Sequence, residues 1–122
     1  MKIGIDILDK ERIAELSREK LAKIFTEAEM SYLQANNWEA QTIAGMFCAK
    51  EAFFKAVGTG LIPSKLHEVE IRYTMLGAPY FKLAPRMINE HKLNTAKMHV
   101  SISHSRDLAI AVCVILTFDS LL

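Results

Sequence analysis

The chain has 122 residues, of which 51% are hydrophobic and 24% are charged, and its formal net charge is +1. This length fits a single domain over residues 1–122. The near-neutral charge excludes the basic excess of a general nucleic-acid-binding protein. No apolar run approaches the ~18 residues of a membrane span, and Asp6 comes too early for a signal-peptide core. We therefore expect a cytoplasmic protein without nucleic-acid or membrane partners.

The two cysteines, Cys48 and Cys113, lie in apolar runs without Cys-x-x-Cys spacing or a nearby histidine pair. This pattern is not that of a zinc site or a disulfide scaffold. Buried, reduced thiols are the simpler interpretation.

The N-terminal segment alternates isoleucines with small or polar residues over positions 2–8, which predicts a strand. The pattern further predicts that the isoleucines pack on the core and that Asp6 points away from it. Asp9 is a suitable N-cap for one helix over about 10–24.

Two further helices are predicted before the middle of the chain. Thr26 and Glu29 form a capping-box pattern that begins a short helix, and the Asn36-Asn37 turn signal ends it. A long helix follows from about Glu39 to Val57, and Gly58 is suited to a left-handed cap.

The second half of the chain has the pattern of strands. We expect strands over 67–75 and 79–83, one short helix over 85–91, and a final hairpin of strands 98–104 and 108–116. No repeat or linker divides the chain. The predicted fold class is α+β, with a mostly antiparallel sheet packed with a long helix.

Glu51 is the first candidate for chemistry, because it lies in the middle of the apolar run of the long helix. An unpaired carboxylate there would cost several kcal/mol, so it must be neutralised, paired or bound to metal. An ion pair with Lys55, four residues later, would satisfy it without any function. Spacing alone leaves both interpretations open.

Asp6 is the second candidate, although an acid at a strand end often only caps the following helix. Two carboxylates on rigid elements are the usual protein share of a Mg²⁺ site, with water and substrate phosphate completing the octahedron. Lys50, Lys55 and the amides of the loop 58–60 could then bind further phosphate charge. The Gly-Thr-Gly loop is a weak signal, because a helix-capping glycine explains it equally well.

His104 follows the sequence Ser101-Ile102-Ser103 at the start of a predicted turn. No serine here lies on a strained strand-to-helix elbow, and no aspartate is an evident partner, so a serine hydrolase is disfavoured. By alternation, His104 shares a face with Ile102. It is either a turn histidine or a ligand contact.

Four blocks of residues occur in a characteristic order along the chain. They are Gly4-Ile5-Asp6-Ile7 with Arg12-Ile13, Phe47 and Ala49-Lys50-Glu51-Ala52 with Lys55 and Gly58-Thr59-Gly60, Gly77-Ala78-Pro79, and Ser101-Ile102-Ser103-His104. Together they resemble the holo-acyl-carrier-protein synthase family, the small bacterial type of 4′-phosphopantetheinyl transferase. The resemblance covers nearly the whole chain.

The resemblance implies an enzyme that transfers the 4′-phosphopantetheine arm of coenzyme A to a serine of an acidic acyl carrier protein. It implies that Asp6 and Glu51 ligate Mg²⁺ and that the protein forms a homotrimer with sites between subunits. The remaining roles that it implies are phosphate binding by Lys55, coenzyme A contacts by Gly58, Thr59 and His104, and carrier docking by Arg12 and Arg18. Either Asp6 or a metal-bound water could accept the serine proton, and the sequence leaves both open.

One position departs from the family pattern: Met46 stands where the family commonly has an arginine that resembles a coenzyme A phosphate contact. Arg72, Lys82 or Arg106 could substitute for it. The departure also allows an alternative, a non-catalytic coenzyme A or carrier-binding module on the same fold. A third interpretation is an unrelated α+β scaffold in which Glu51 pairs only with Lys55.

Overall fold

The computed structural model describes residues 1–117, which form five strands, five α-helices and one 3₁₀ helix. The elements in chain order are β1 (Lys2–Asp9), α1 (Lys10–Ala14), α2 (Arg18–Ile24), α3 (Glu27–Ala35), α4 (Ala40–Val57), the 3₁₀ helix (Pro63–Glu68), β2 (Val69–Tyr73), β3 (Pro79–Leu83), α5 (Pro85–Glu90), β4 (Lys97–His104) and β5 (Leu108–Leu116). The predicted α+β class is confirmed. No helix within residues 1–117 has both the length and the apolar character needed to cross a membrane.

The strands form two antiparallel sheets with α4 packed across the larger one. The larger sheet has the order β1-β5-β4, and β2 and β3 form a separate hairpin. Asp6 of β1 and Ile102 of β4 both lie opposite Ala111 of β5. The apolar face of α4 packs mainly on β1 and β5, which places the core between this helix and the sheet.

The two faces of β1 are the reverse of the prediction. Ile3, Ile5 and Ile7 are 55%, 55% and 59% exposed, whereas Gly4 and Asp6 are buried. A Cβ atom on Gly4 would overlap the carbonyl oxygen of Ala52 and lie 2.6 Å from the amide nitrogen of Ala56. Only glycine therefore permits β1 to lie directly on α4. The same close approach turns Asp6 towards the helix.

The helix predicted over 10–24 is two helices, α1 and α2. Ser17 has an extended backbone and its hydroxyl accepts the amide of Lys20, so it caps α2 as a new helix. The first predicted strand of the second half is also shorter, because Pro63–Glu68 forms the 3₁₀ helix.

The remaining helix signals are confirmed. Thr26 and Glu29 form both bonds of the capping box at the start of α3. Gly58 ends α4 in the left-handed region, with a φ of 90°. The short helix, the β2–β3 turn and the final hairpin lie where the sequence places them.

Candidate active site

Asp6, Glu51 and Lys55 meet where β1 lies on the second half of α4. Asp6 is only 8% exposed, and its Oδ1 lies 2.9 Å from Nζ of Lys55. The same ammonium donates to the carbonyl oxygen of Ile5 at 3.0 Å. Within residues 1–117, the ion pair of Lys55 is thus with Asp6, and the predicted alternative of a Glu51–Lys55 pair is wrong.

Glu51 lies beside Asp6 without a cation of its own. Burial, and then the hydrogen bond and charge of Asp6, raise the pKa of Glu51 from 4.5 to about 7, although the positive charge of Lys55 acts to lower it. The hydrogen bond to Asp6 also raises the pKa of Lys55, which therefore stays protonated. Two carboxyl groups thus share one ammonium group, so the site carries excess negative charge once Glu51 is ionised.

This charge excess predicts a particular pH dependence of stability. Because the pKa of Glu51 is about 7 in the folded protein and 4.5 in its usual state, the folded protein binds the extra proton between these values. The free energy of unfolding should therefore fall as the pH rises through this range. Urea titrations in chelator at pH 5 and pH 8 should show a larger fall for the wild type than for Glu51→Gln. Equal falls in both proteins would contradict the assignment.

Cys48 lies next to Asp6 and Glu51, which we call the acid pair, but it is not a nucleophile. Its Sγ lies 3.6 Å from the carbonyl oxygen of Ala109. Burial, and then the charge of Asp6, raise the pKa of the Cys48 thiol to about 12, so it is protonated at neutral pH. Cys48 and Cys113 are both free and buried, as the sequence predicts.

The loop after α4 does not offer free amides to a phosphate, contrary to the prediction. The amide of Gly58 donates to the carbonyl of Lys55, and the amides of Thr59 and Gly60 both donate to the carbonyl of Phe54. These bonds close the end of the helix. What the loop does expose is the side chain of Thr59, whose hydroxyl donates to the carbonyl of Gly60 at 2.8 Å.

Lys50 is also in a different place from the one predicted. It is fully buried, and its ammonium donates to Glu29 Oε1 at 2.6 Å and to the carbonyls of Ile24 and Leu66 at 3.1 and 2.8 Å. The three acceptors use all three N–H donors of the ammonium. Lys50 therefore has none left for a phosphate, and its role is structural.

His104 lies across the sheet from the acid pair. It pairs with Ala109, two residues from the partner of Asp6, so the two Cα atoms are about 12 Å apart by strand geometry. His104 borders a cleft of about 200 Å³ that Gly45 and Ile102 also line. Ser101 and Ser103 lie on the opposite, outer face of the sheet with Ile5. No triad brings these serines together with His104.

A family model of the 4′-phosphopantetheinyl transferase superfamily matches residues 2–113. The chain belongs to this superfamily. It is 38% identical to the holo-acyl-carrier-protein synthase of Clostridium tetani, covering 93% of both chains. Two similar solved structures are holo-acyl-carrier-protein synthases in complex with coenzyme A. The Helicobacter pylori structure has a TM-score of 0.80 and 27% identity, covering 93% of this chain and 99% of that one. The Bacillus anthracis structure has a TM-score of 0.78 and 32% identity, covering 93% and 94%.

As a member of this superfamily, the protein is a phosphopantetheinyl transferase, and the resemblance seen in the sequence is confirmed. The acid pair is its candidate active site. Within residues 1–117, no three His, Cys, Asp or Glu side chains gather into a ready-made metal site.

Met46, which stands where the family commonly has an arginine, lies in the core of this transferase. Met46 is fully buried in the core and puts no charge into the cleft beside Gly45. Arg72 lines a neighbouring cleft of about 460 Å³, where its Nε donates to Glu70 at 2.7 Å and its side chain is 41% exposed. Lys82 and Arg106 are also exposed. Within residues 1–117, none of these three cations lines the cleft that His104 borders.

The structure of the transferase shows features that the residue patterns did not predict. The rings of Tyr32 and Tyr73 stack with centroids 4.2 Å apart and form a wall shared by the clefts of His104 and Arg72. No periodicity signals such a long-range pair. The inward face of β1, in contrast, had a signal: Gly4 inside a strand marks a close backbone approach.

Proposed function

We propose that the protein is a holo-acyl-carrier-protein synthase that uses coenzyme A and requires Mg²⁺. The observation that carries the proposal is the pair of Asp6 and Glu51, held against each other at the β1–α4 contact of a phosphopantetheinyl transferase. Relatives bearing this name, two of them solved with coenzyme A, support the substrate assignment.

The proposed reaction needs no nucleophile from this chain. The carrier's serine oxygen attacks the phosphorus that bears the pantetheine arm, and the bond between that phosphorus and the bridging oxygen breaks. The bridging oxygen leaves with adenosine 3′,5′-bisphosphate, 4′-phosphopantetheine stays on the serine, and the serine proton is released. Phosphoryl transfer of this kind depends mainly on positioning and charge neutralisation. This agrees with the protonated Cys48 and with Ser101 and Ser103, which lie on the opposite face of the sheet from His104.

The acid pair fits the Mg²⁺ that the family implies. Hard carboxylate oxygens on rigid elements suit this ion, which keeps several waters and takes other ligands from substrate phosphates. Burial and the neighbouring Asp6 both disfavour the ionised form of Glu51, and a divalent cation at the pair would offset both effects. When bound, Mg²⁺ would neutralise the diphosphate and the charge that develops on its leaving oxygen.

Lys55 is the residue of this chain that would hold a diphosphate oxygen directly. Its side chain is 49% exposed, and two of its three N–H groups are used by Asp6 and Ile5. One donor is left for the adjoining cleft of about 280 Å³. Gly58 and Thr59 follow within one helical turn, so the exposed Thr59 side chain would border the same substrate group.

The substrate site is proposed to lie between subunits of a homotrimer. The outer face of the larger sheet exposes a continuous apolar surface, made by Ile3, Ile5, Ile7, Leu108, Ile110 and Leu116. An exposed apolar patch of this extent is typical of a protein interface. The separation of His104 from the acid pair is also consistent with a site to which two copies contribute.

Light scattering should therefore give the mass of a trimer at micromolar concentration. Replacing Ile5 by Lys places a charge in the apolar face and should shift the protein towards monomer. The matched variant Lys92→Glu changes an exposed charge outside this face and should leave the mass unchanged. A wild-type monomer at this concentration would contradict the assembly.

The function is tested by incubating an apo carrier protein with coenzyme A, Mg²⁺ and the enzyme. We expect the carrier to gain the mass of one phosphopantetheine, and chelation of the metal to prevent the gain. The lack of any gain with several apo carriers would refute the proposal. Binding of coenzyme A by calorimetry without transfer would instead favour the non-catalytic module, to which the uncharged Met46 points.

A further inference from the structure

The turn between α3 and α4 contains an unusual tryptophan. Asn37 and Trp38 have φ angles of 59° and 53°, so two consecutive residues lie in the left-handed region. Asparagine tolerates this region, whereas it is strained for a bulky side chain. The amide of Trp38 donates to the carbonyl of Leu33 at 2.8 Å and fixes the turn. A strained residue held in place by its surroundings invites the question of what it positions.

The ring of Trp38 supports the guanidinium of Arg18. The Cζ atom of Arg18 lies 3.7 Å from the ring centroid, a close cation–π contact. Arg18 is exposed at the start of α2, and none of the ion pairs within residues 1–117 includes it. Trp38 therefore restricts a long, flexible cation that has no acidic partner in this part of the chain.

Three further cations lie near Arg18 in sequence. Arg12 of α1 and Lys20 and Lys23 of α2 are exposed and have no acidic partner among residues 1–117. In contrast, Arg72 and Arg86 are each held by a glutamate. An exposed cation without an acidic partner suits a binding partner that brings its own acids.

We propose that Trp38 is a positioning residue for carrier recognition: it fixes the Arg18 guanidinium so that Arg18 meets an acidic side chain of the carrier without losing side-chain freedom. The inference rests on the proposed function. Ordering an exposed arginine at docking weakens binding, so a guanidinium that is already stacked binds its partner more tightly. Trp38 does not contact the reacting groups, and its effect should be confined to the carrier.

The kinetic test measures KM for the apo carrier and for coenzyme A separately. Trp38→Leu should raise KM for the carrier about threefold to tenfold. Its KM for coenzyme A and its kcat should stay within about twofold of the wild type, because the acid pair is untouched. Trp38→Phe keeps a ring under the guanidinium and should recover most of the loss. Arg86→Ala, which removes an exposed arginine that pairs with Glu68, serves as the charge control.

A double-mutant cycle separates positioning from a merely structural role. If Trp38 acts through Arg18, adding Trp38→Leu to Arg18→Ala should raise the carrier KM no further. Additive losses would overturn the inference, as would equal losses for carrier and coenzyme A. Circular dichroism of each variant checks the fold, and if Trp38→Leu is unfolded, Arg18→Lys replaces it, because lysine lacks the planar group that stacks.

Fluorescence provides a second readout, since Trp38 is the single tryptophan of the chain. Adding an apo carrier that lacks tryptophan should change the emission of Trp38. The midpoint of this titration should move to a higher carrier concentration in Arg18→Ala. An unchanged emission at saturation would overturn the inference. A wild type that modifies carriers while Trp38→Leu keeps its carrier KM would refute this inference alone. A wild type that modifies no carrier would refute the proposed function and the inference together.

Discussion

Replacing Glu51 by Gln is expected to lower kcat for transfer by at least about 100-fold, because it removes half of the charge that would hold the metal and diphosphate. The amide has nearly the same shape as the carboxyl group, so the contact of α4 with β1 should persist. At pH 8 the variant should be no less stable than the wild type, since the unfavourable proximity of Asp6 and Glu51 is removed.

The matched control is Glu39→Gln, which removes an exposed charge from the N-terminal end of the same helix, about 18 Å away along its axis. It should transfer phosphopantetheine at the wild-type rate. Mass spectrometry of the carrier under initial-rate conditions measures both variants. A nearly normal kcat for Glu51→Gln would exclude Glu51 from the reaction, whereas a loss shared by Glu39→Gln would indicate a general effect of charge.

The sequence identified the acid pair because its signal is local. Glu51 lies in an apolar helix and Asp6 in a strand, and both assignments follow from periodicity within a few residues. The face of β1 was predicted wrongly because alternation alone does not tell which of its two faces is buried. The isoleucines suggested a core, but the space beside Ala52 admits only Gly4. The isoleucines therefore form the exposed outer face of the strand.

It was harder to predict which N–H groups remain free for a phosphate, because this depends on which donors the fold itself uses. Gly58 was recognised as a helix cap, yet the same geometry consumes the amides of the loop. Lys50 was placed near phosphate on the basis of its neighbour Glu51. Its partner Glu29 is 21 residues away in sequence and packs beside it only in the folded core. No spacing rule could pair them.

The buried pair of Lys50 and Glu29 predicts the largest effect on stability. Lys50→Met should lower the free energy of unfolding by about 3–5 kcal/mol, because the Glu29 carboxylate is then left buried without its cation. The Glu29 carboxylate also accepts the amides of Thr26, at the start of α3, and of Ile71 in β2, so the change reaches both elements. Urea titration measures the loss, and Lys65→Met, which breaks a more exposed pair, should cost about 0–1 kcal/mol.

A second substitution shows whether the cost comes from the stranded charge. Adding Glu29→Gln to Lys50→Met removes that charge while keeping an acceptor, so the double variant should regain part of the loss. A Lys50→Met protein within about 1 kcal/mol of the wild type would contradict the role of the pair. Lys50 and Glu51 are consecutive on α4 and point about 100° apart, so substitutions at the two positions should have different effects on folding and on activity. Activity of Lys50→Met should follow its folded fraction, whereas Glu51→Gln should be folded and inactive.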